Sequence, residues 1–174
     1  MTNPQPPLPP TIPNPADSDP DSLLSPHAVA ASSLTAAAVL GMLLGLGHRH
    51  YTVWEPLNAA AHPLIGERAD NVLGFQANVT LPGVAVVLVV SIVAGFIATA
   101  LTSSRRTLHC AMTAFGVALA GYVVHLHIVA RTPGGLAALL QTGELRAVYA
   151  AGAIALFAGM RYAFSFDVTS SPTV

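Results

Sequence analysis

Lysine is absent. All seven positive side chains are arginine, set against eight acids for a formal net charge of −1. Charged residues make up 9 % of the 174-residue chain, where a soluble domain averages about 25 %. A soluble globule needs more charge than this to cover its surface, which argues against a soluble enzyme. No basic stripe exists to neutralise phosphates, which excludes a nucleic-acid binder. The single cysteine, Cys110, rules out an intrachain disulfide. Beside His109 and Arg105, it reads as a small apolar helix residue rather than a reactive thiol.

Hydrophobic residues make up 53 % of the chain and mean hydropathy is +0.60. A membrane crossing needs about 20 mostly apolar residues. Four stretches meet that length, at about 28–47, 82–102, 107–130 and 145–165. Ser25 and Pro26 open the first as N-cap and first helical residue, and Thr80 and Pro82 are the start signals of the second. Val and Ile fill the second, yet a run this long reads as a membrane helix. The expected fold is all-α: a polytopic membrane protein, a four-transmembrane-helix bundle with a short interfacial helix in its first outer loop. Residues 27–166 form that domain. Residues 1–26 hold nine of the 14 prolines and read as a disordered tail, and 167–174 as a flexible C-terminal tail.

An even number of crossings puts both termini on one side. Arg105 and Arg106, paired in a very short hairpin, place that side in the cytoplasm. No Asp or Glu lies in the middle of any span, so a proton-coupled transporter lacks its relay. Packing in lipid relies on small residues. Gly41 and Gly45 offer a close-contact pair in the first span. Ala111, Ala114, Ala118, Gly121 and His125 form a heptad seam that should face the interior of the third.

Histidines gather at the opposite, outer face. His48 and His50 end the first span, His62 lies in the long loop 51–81, and His125 and His127 lie near the end of the third span. Neutral imidazole binds zinc, copper and iron, and bundles hold cofactors between facing helices. His48, His62 and His125 are the candidate metal or haem ligands, with His50 and His127 as second choices. His127 sits about 200° around the helix from His125, so the two cannot point at one interior ligand. A pH-responsive face, or histidines that merely bond loop carbonyls and water, are the competing readings. No HExxH, CxxC or CxxCH accompanies them.

The first outer loop places Leu57, Ala60, Ala61, Leu64 and Ile65 at helical spacing after Pro56, with Tyr51, Trp54 and Phe75 as boundary aromatics. Asn58 and His62 fall on one side of that helix. Glu67, Arg68 and Asp70 read as solvated loop charges. Arg131-Thr132-Pro133-Gly134-Gly135 reads as a turn, and Leu136 to Leu140 as a patch resting on the membrane. No Ser-His-Asp or Cys-His arrangement is present, so no catalytic residue is assigned.

Trp54, Pro56, Leu57, Asn58, His62 and Gly66 in the first outer loop form one cluster. Tyr122, His127, Arg131, Thr132, Pro133 and Gly134 form another at the end of the third span. On these residues, roughly 40–160 resembles a loosely defined group of small, functionally uncharacterised four-span bacterial integral membrane proteins. They carry an Asn-x-x-x-His loop element and a Tyr-x-x-Asp-x-His-like stretch before a Thr-Pro-Gly turn. This chain has His125 where the group tends to have Asp, and lacks paired histidines in the second span. The resemblance implies topology and a bacterial inner-membrane location, but no activity.

The leading functional expectation is a non-enzymatic accessory, assembly or complex-subunit protein, in contact with the bilayer and with a membrane-protein partner or a second copy. A haem- or metal-binding membrane protein, with electron transfer as its role, is the alternative, and a transporter or channel stands third.

Overall fold

The computed structural model describes residues 25–102, 106–131 and 133–169, and over these it is entirely helical. The expected proline-rich tail, up to residue 24, and the C-terminal residues after 169 lie outside the described residues. Four long helices carry the fold: α1 (Pro26–Arg49), α4 (Ala77–Leu101), α5 (Thr107–His127) and α7 (Thr142–Thr169). Two short helices, α2 (Glu55–Ala60) and α3 (His62–Ile65), and a 3-10 turn over Gly66–Ala69 fill the first loop. A 3-10 turn at Val129–Arg131 and the short α6 (Gly135–Leu139) fill the second.

Three helices are long and apolar enough to cross a membrane: His27–Arg49, Ala77–Leu101 and Thr107–Arg131. In hydrocarbon a helix satisfies its own backbone, so the Val- and Ile-rich run of α4 is helical despite its strand-like composition. At 28 residues α7 has the length, but its Glu144, Arg146 and Arg161 and many alanines make it the least apolar of the four. It extends through Thr169, so Asp167 to Thr169 are helix rather than tail.

Ser25 caps α1 as its sequence suggests, its Oγ accepting from the Ala28 N–H at 3.2 Å. The start of α4 differs from expectation. The helix begins at Ala77, and Pro82 lies inside it. Pro82 forfeits only the bond to the Asn78 carbonyl, one turn from a terminus where backbone donors are unpaired anyway.

α1 is the central post. It packs most extensively on α7 and then on α4, while α5 leans on α7 and touches α4 sparsely. At the N-terminal end of α1 the three helices are pinched together. A Cβ on Gly159 of α7 would lie 2.6 Å from Ala31 Cα and 2.8 Å from the Ala30 carbonyl. A Cβ on Gly95 of α4 would collide with the Ser32 hydroxyl. Around this pinch Ala31, Ala98, Cys110, Ala114, Leu156 and Met160 form one buried cluster. Gly41 and Gly45, the expected close-contact pair, are exposed with nothing within 4 Å of a Cβ. Their helix face points away from α4 and α7.

Toward the other end a second cluster of Leu43, Leu46, Leu57, Ala60, Val87, Leu140, Leu145 and Val148 fills in under a roof made by the two loops. The helical part of the first loop packs into the protein as a cap on the bundle. Pro56 through His62 are all buried in the protein. The helix breaks near Ala61 because Pro63 cannot donate to the Ala59 carbonyl. Leu140 is likewise buried, and Leu136 and Leu139 pack on the same cluster rather than resting on lipid.

Filling the pinch should be costly because the atoms it meets are backbone. Gly159→Leu is expected to lower stability by about 1–3 kcal/mol, while Gly41→Leu stays within about 0.5 kcal/mol of wild type. Thermal unfolding of the full chain in mild detergent reads both, and equal midpoints for the two variants would refute the pinch.

Candidate functional site: a roofed cavity between the long helices

A cavity of about 390 Å³ lies just beyond the pinch, walled by all four long helices and closed by the roof. That size falls among small-molecule sites, which run roughly 300–1,000 Å³. Its walls are overwhelmingly apolar, with Val86 and Val90 of α4, Ala118 and Gly121 of α5, and Val148 and Leu156 of α7 typical of them. The small-residue seam expected on α5 does face inward here. Ala114 is fully buried, and Ala118, Gly121 and His125 line the cavity.

Polar groups enter the cavity lining chiefly from the roof end. His125, near the end of α5, places Nδ1 3.1 Å from the Tyr149 hydroxyl of α7, and the rings meet edge to face at 5.9 Å. Tyr149 stacks edgewise on Tyr122 at 5.5 Å, and the Tyr122 hydroxyl accepts from Arg146 Nε at 3.3 Å. His125 Nε2 is buried and has no hydrogen-bond partner among the described residues. His62, only 7 % exposed, sets Nδ1 3.1 Å from the Asp70 carboxylate. Asp70 Oδ1 also accepts the Gly135 N–H at 3.0 Å. Asp70 is thus not a solvated loop charge. It ties the first loop to the second. The tie needs glycine: φ is +116° at Gly134 and +69° at Gly135, and a Cβ on Gly134 would run into Asp70 and His62.

Asn58 fastens the roof to α4. Fully buried, it donates from Nδ2 to the Val72 carbonyl at 2.6 Å and the Gly74 carbonyl at 3.0 Å. It accepts from the Thr80 hydroxyl at 2.6 Å, and Thr80 Oγ1 accepts the Gln76 N–H at 3.1 Å. Gly83, one turn on, lets α4 approach the Leu57 carbonyl so closely that a Cβ has no room.

A further clasp lies at the rim. His50 Nε2 sits 2.7 Å from Glu144 Oε1, joining the end of α1 to the start of α7, and Glu144 Oε2 accepts the Gln141 N–H at 3.1 Å. The hydrogen bond to His50, aided by the Gln141 N–H and the nearby positive charge, outweighs burial and holds the Glu144 carboxyl below its usual range.

The five histidines lie toward the roof end but do not converge on one site. His62 and His125 line one cavity, His50 binds Glu144, and His48 and His127 are exposed. Among the described residues no group of three or more His, Cys, Asp or Glu side chains is placed to hold a metal ion. The sequence reading missed Tyr149 and the Asp70–Gly135 tie. Tyr149 carries no sequence signal, being 24 residues from its partner. The four-residue spacing of Asn58 and His62 was the one local clue to the roof.

No protein family, no curated protein and no solved structure matches the chain.

Replacing Asn58 by Ala is expected to leave the Val72 and Gly74 carbonyls and the Thr80 hydroxyl short of partners, at about 1–3 kcal/mol for each group left unpaired. Protease digestion of the roof should then precede cleavage elsewhere, and a wild-type digestion pattern would count against the role. The rim clasp predicts a pH effect. A carboxyl held below its unfolded value contributes stability above the ordinary carboxylate range and loses it as pH falls through the folded-state value. Wild type should melt above Glu144→Gln at neutral pH, and the gap should close on acidification. A gap that is constant with pH would remove the clasp.

Proposed function

We propose that this chain is a four-span integral membrane protein whose task is to hold an apolar small molecule in the roofed cavity, without chemistry. α7 is the fourth crossing. Both termini then face the same side, and the adjacent Arg105 and Arg106, which fall between α4 and α5 in the sequence, favour the cytoplasm of a bacterial inner membrane for that side. The observation that carries the reading is the cavity itself: apolar walls drawn from every long helix, with a few converging polar groups at one end. An accessory role in a larger assembly is compatible with holding such a ligand.

The ligand enters from the bilayer. Val90 of α4 and Val124 of α5 line the cavity yet are 58 % and 49 % exposed. They belong to two neighbouring long helices that touch each other only sparsely. The roof, by contrast, is fastened by Asn58, Asp70 and the rim clasp.

Native mass spectrometry of the full chain released from mild detergent is expected to show a one-to-one adduct with an apolar small molecule. Ala118→Phe, which fills the cavity from α5, should abolish it while far-UV circular dichroism stays unchanged. A wild type that carries and takes up nothing, or an adduct that survives Ala118→Phe, overturns the reading.

A further inference from the structure

Resting on the cavity reading above, we infer that the ligand is a single-chain apolar alcohol, whose hydroxyl donates to Nε2 of His62. Asp70 sets up this acceptor. Its carboxylate only accepts, so the imidazole 3.1 Å away donates from Nδ1. In a neutral ring that leaves Nε2 as a lone pair. The Nδ1 edge of the ring faces Asp70 and the second loop, where a Cβ on Gly134 would meet it. The ring also lines the cavity, and the residue is only 7 % exposed. Nε2 has no hydrogen-bond partner among the described residues, yet it is not sealed in: a molecule the size of water can touch it. A largely buried acceptor without a partner is a destabilising feature, and a bound donor removes it.

The other polar side chains of the lining make no such demand. The Tyr149 hydroxyl is engaged with His125 Nδ1. His125 Nε2 has no partner among the described residues, but it is sealed in, so no ligand atom reaches it. Thr35 donates back to the Ala31 carbonyl at 2.7 Å, as helix-borne Thr does in apolar surroundings. Ser91 lies one turn from Gly95, at the pinch end of the cavity. Its hydroxyl has an alternative that the imidazole lacks, which is to turn back onto the Val87 carbonyl of its own helix. His62 Nε2 is thus the group that needs a donor from outside the protein. A hydroxyl supplies one. An ether or ester brings only acceptors, and a carboxylate adds a negative charge beside Asp70. The volume sets the size. A cavity of about 390 Å³, at about 30 Å³ per heavy atom as for water in the liquid, holds about 13 heavy atoms. That is one chain with its hydroxyl, and too little for a two-tailed lipid.

The test titrates four probes into the full chain in nanodiscs at neutral pH: 1-dodecanol, methyl undecyl ether, tridecane and dodecanoate. The first three have equal numbers of heavy atoms. The readout is the dissociation constant, with each concentration taken as that in the bilayer. Dodecanol is expected to bind about tenfold tighter than the ether or the alkane, the size of one hydrogen bond made to a buried group. His62→Phe should erase that preference while keeping tridecane binding, which shows that the cavity is intact. Asp70→Asn makes a sharper demand. The new amide keeps its oxygen on the Gly135 N–H and turns its NH₂ to His62 Nδ1, which moves the ring proton to Nε2. The ether, which the wild type treats as an alkane, should then gain over tridecane. Ser91→Ala should leave the dodecanol preference unchanged. Four results overturn the alcohol inference and leave the cavity reading standing: equal affinities for alcohol, ether and alkane; tightest binding of dodecanoate; no gain for the ether in Asp70→Asn; or loss of the preference in Ser91→Ala. Binding of none of the four probes overturns both.

Discussion

The close approach of α1 to α4 and α7 governs the rest of the structure. It is made by residues with almost no side chain: Ala31 and Ser32 on α1, Gly95 on α4 and Gly159 on α7. Lipid tails are as apolar as leucine, so helices in a membrane gain little by hiding apolar surface from one another. They gain by dispersion contacts between backbones that can come close. These small residues sit near one end, so the closest backbone approaches lie there. The cavity lies beyond them, lined by residues of all four long helices and the roof.

Roof residues from both loops, among them His62 and Gly135, complete the cavity lining. Helix ends and loops carry unpaired backbone groups that tolerate neither lipid nor a dry interior. Asn58 satisfies two loop carbonyls at once, and Asp70 takes up the Gly135 N–H along with the His62 ring. Asn58 and His62 of the first loop thus face the protein, while Glu67 and Arg68 and boundary aromatics such as Tyr51, Trp54 and Phe75 stay exposed. His125 Nε2 is buried and has no hydrogen-bond partner among the described residues.

The long helices were legible because a run of some 20 apolar residues admits few structures in lipid, and Ser25 marked the start of α1 correctly. The inward seam of α5 was legible for the same periodic reason. Other features were misread where one residue type serves two purposes. Gly41 and Gly45 have the spacing of a packing pair, but which face of α1 meets a neighbour is decided by the neighbours. Pro82 reads as a helix start, yet one turn from the terminus a proline is tolerated inside. Leu57 and Leu140 read as membrane-facing, and both are core.

The sequence by itself determined an all-helical, lipid-compatible chain with histidines concentrated toward one end, because hydropathy and period are local properties. Only the tertiary structure decided which histidines share a cavity. His48 and His125 have similar apparent depth along their helices, yet one is exposed and the other lines the interior. The reason is rotational: an α-helix turns about 100° per residue, so a side chain's surroundings depend on the packing angle of its helix. Contacts such as His125 with Tyr149, or Asp70 with Gly135, join residues whose separation along the chain carries no periodic signal. They exist because the pinch and the roof fix those packing angles.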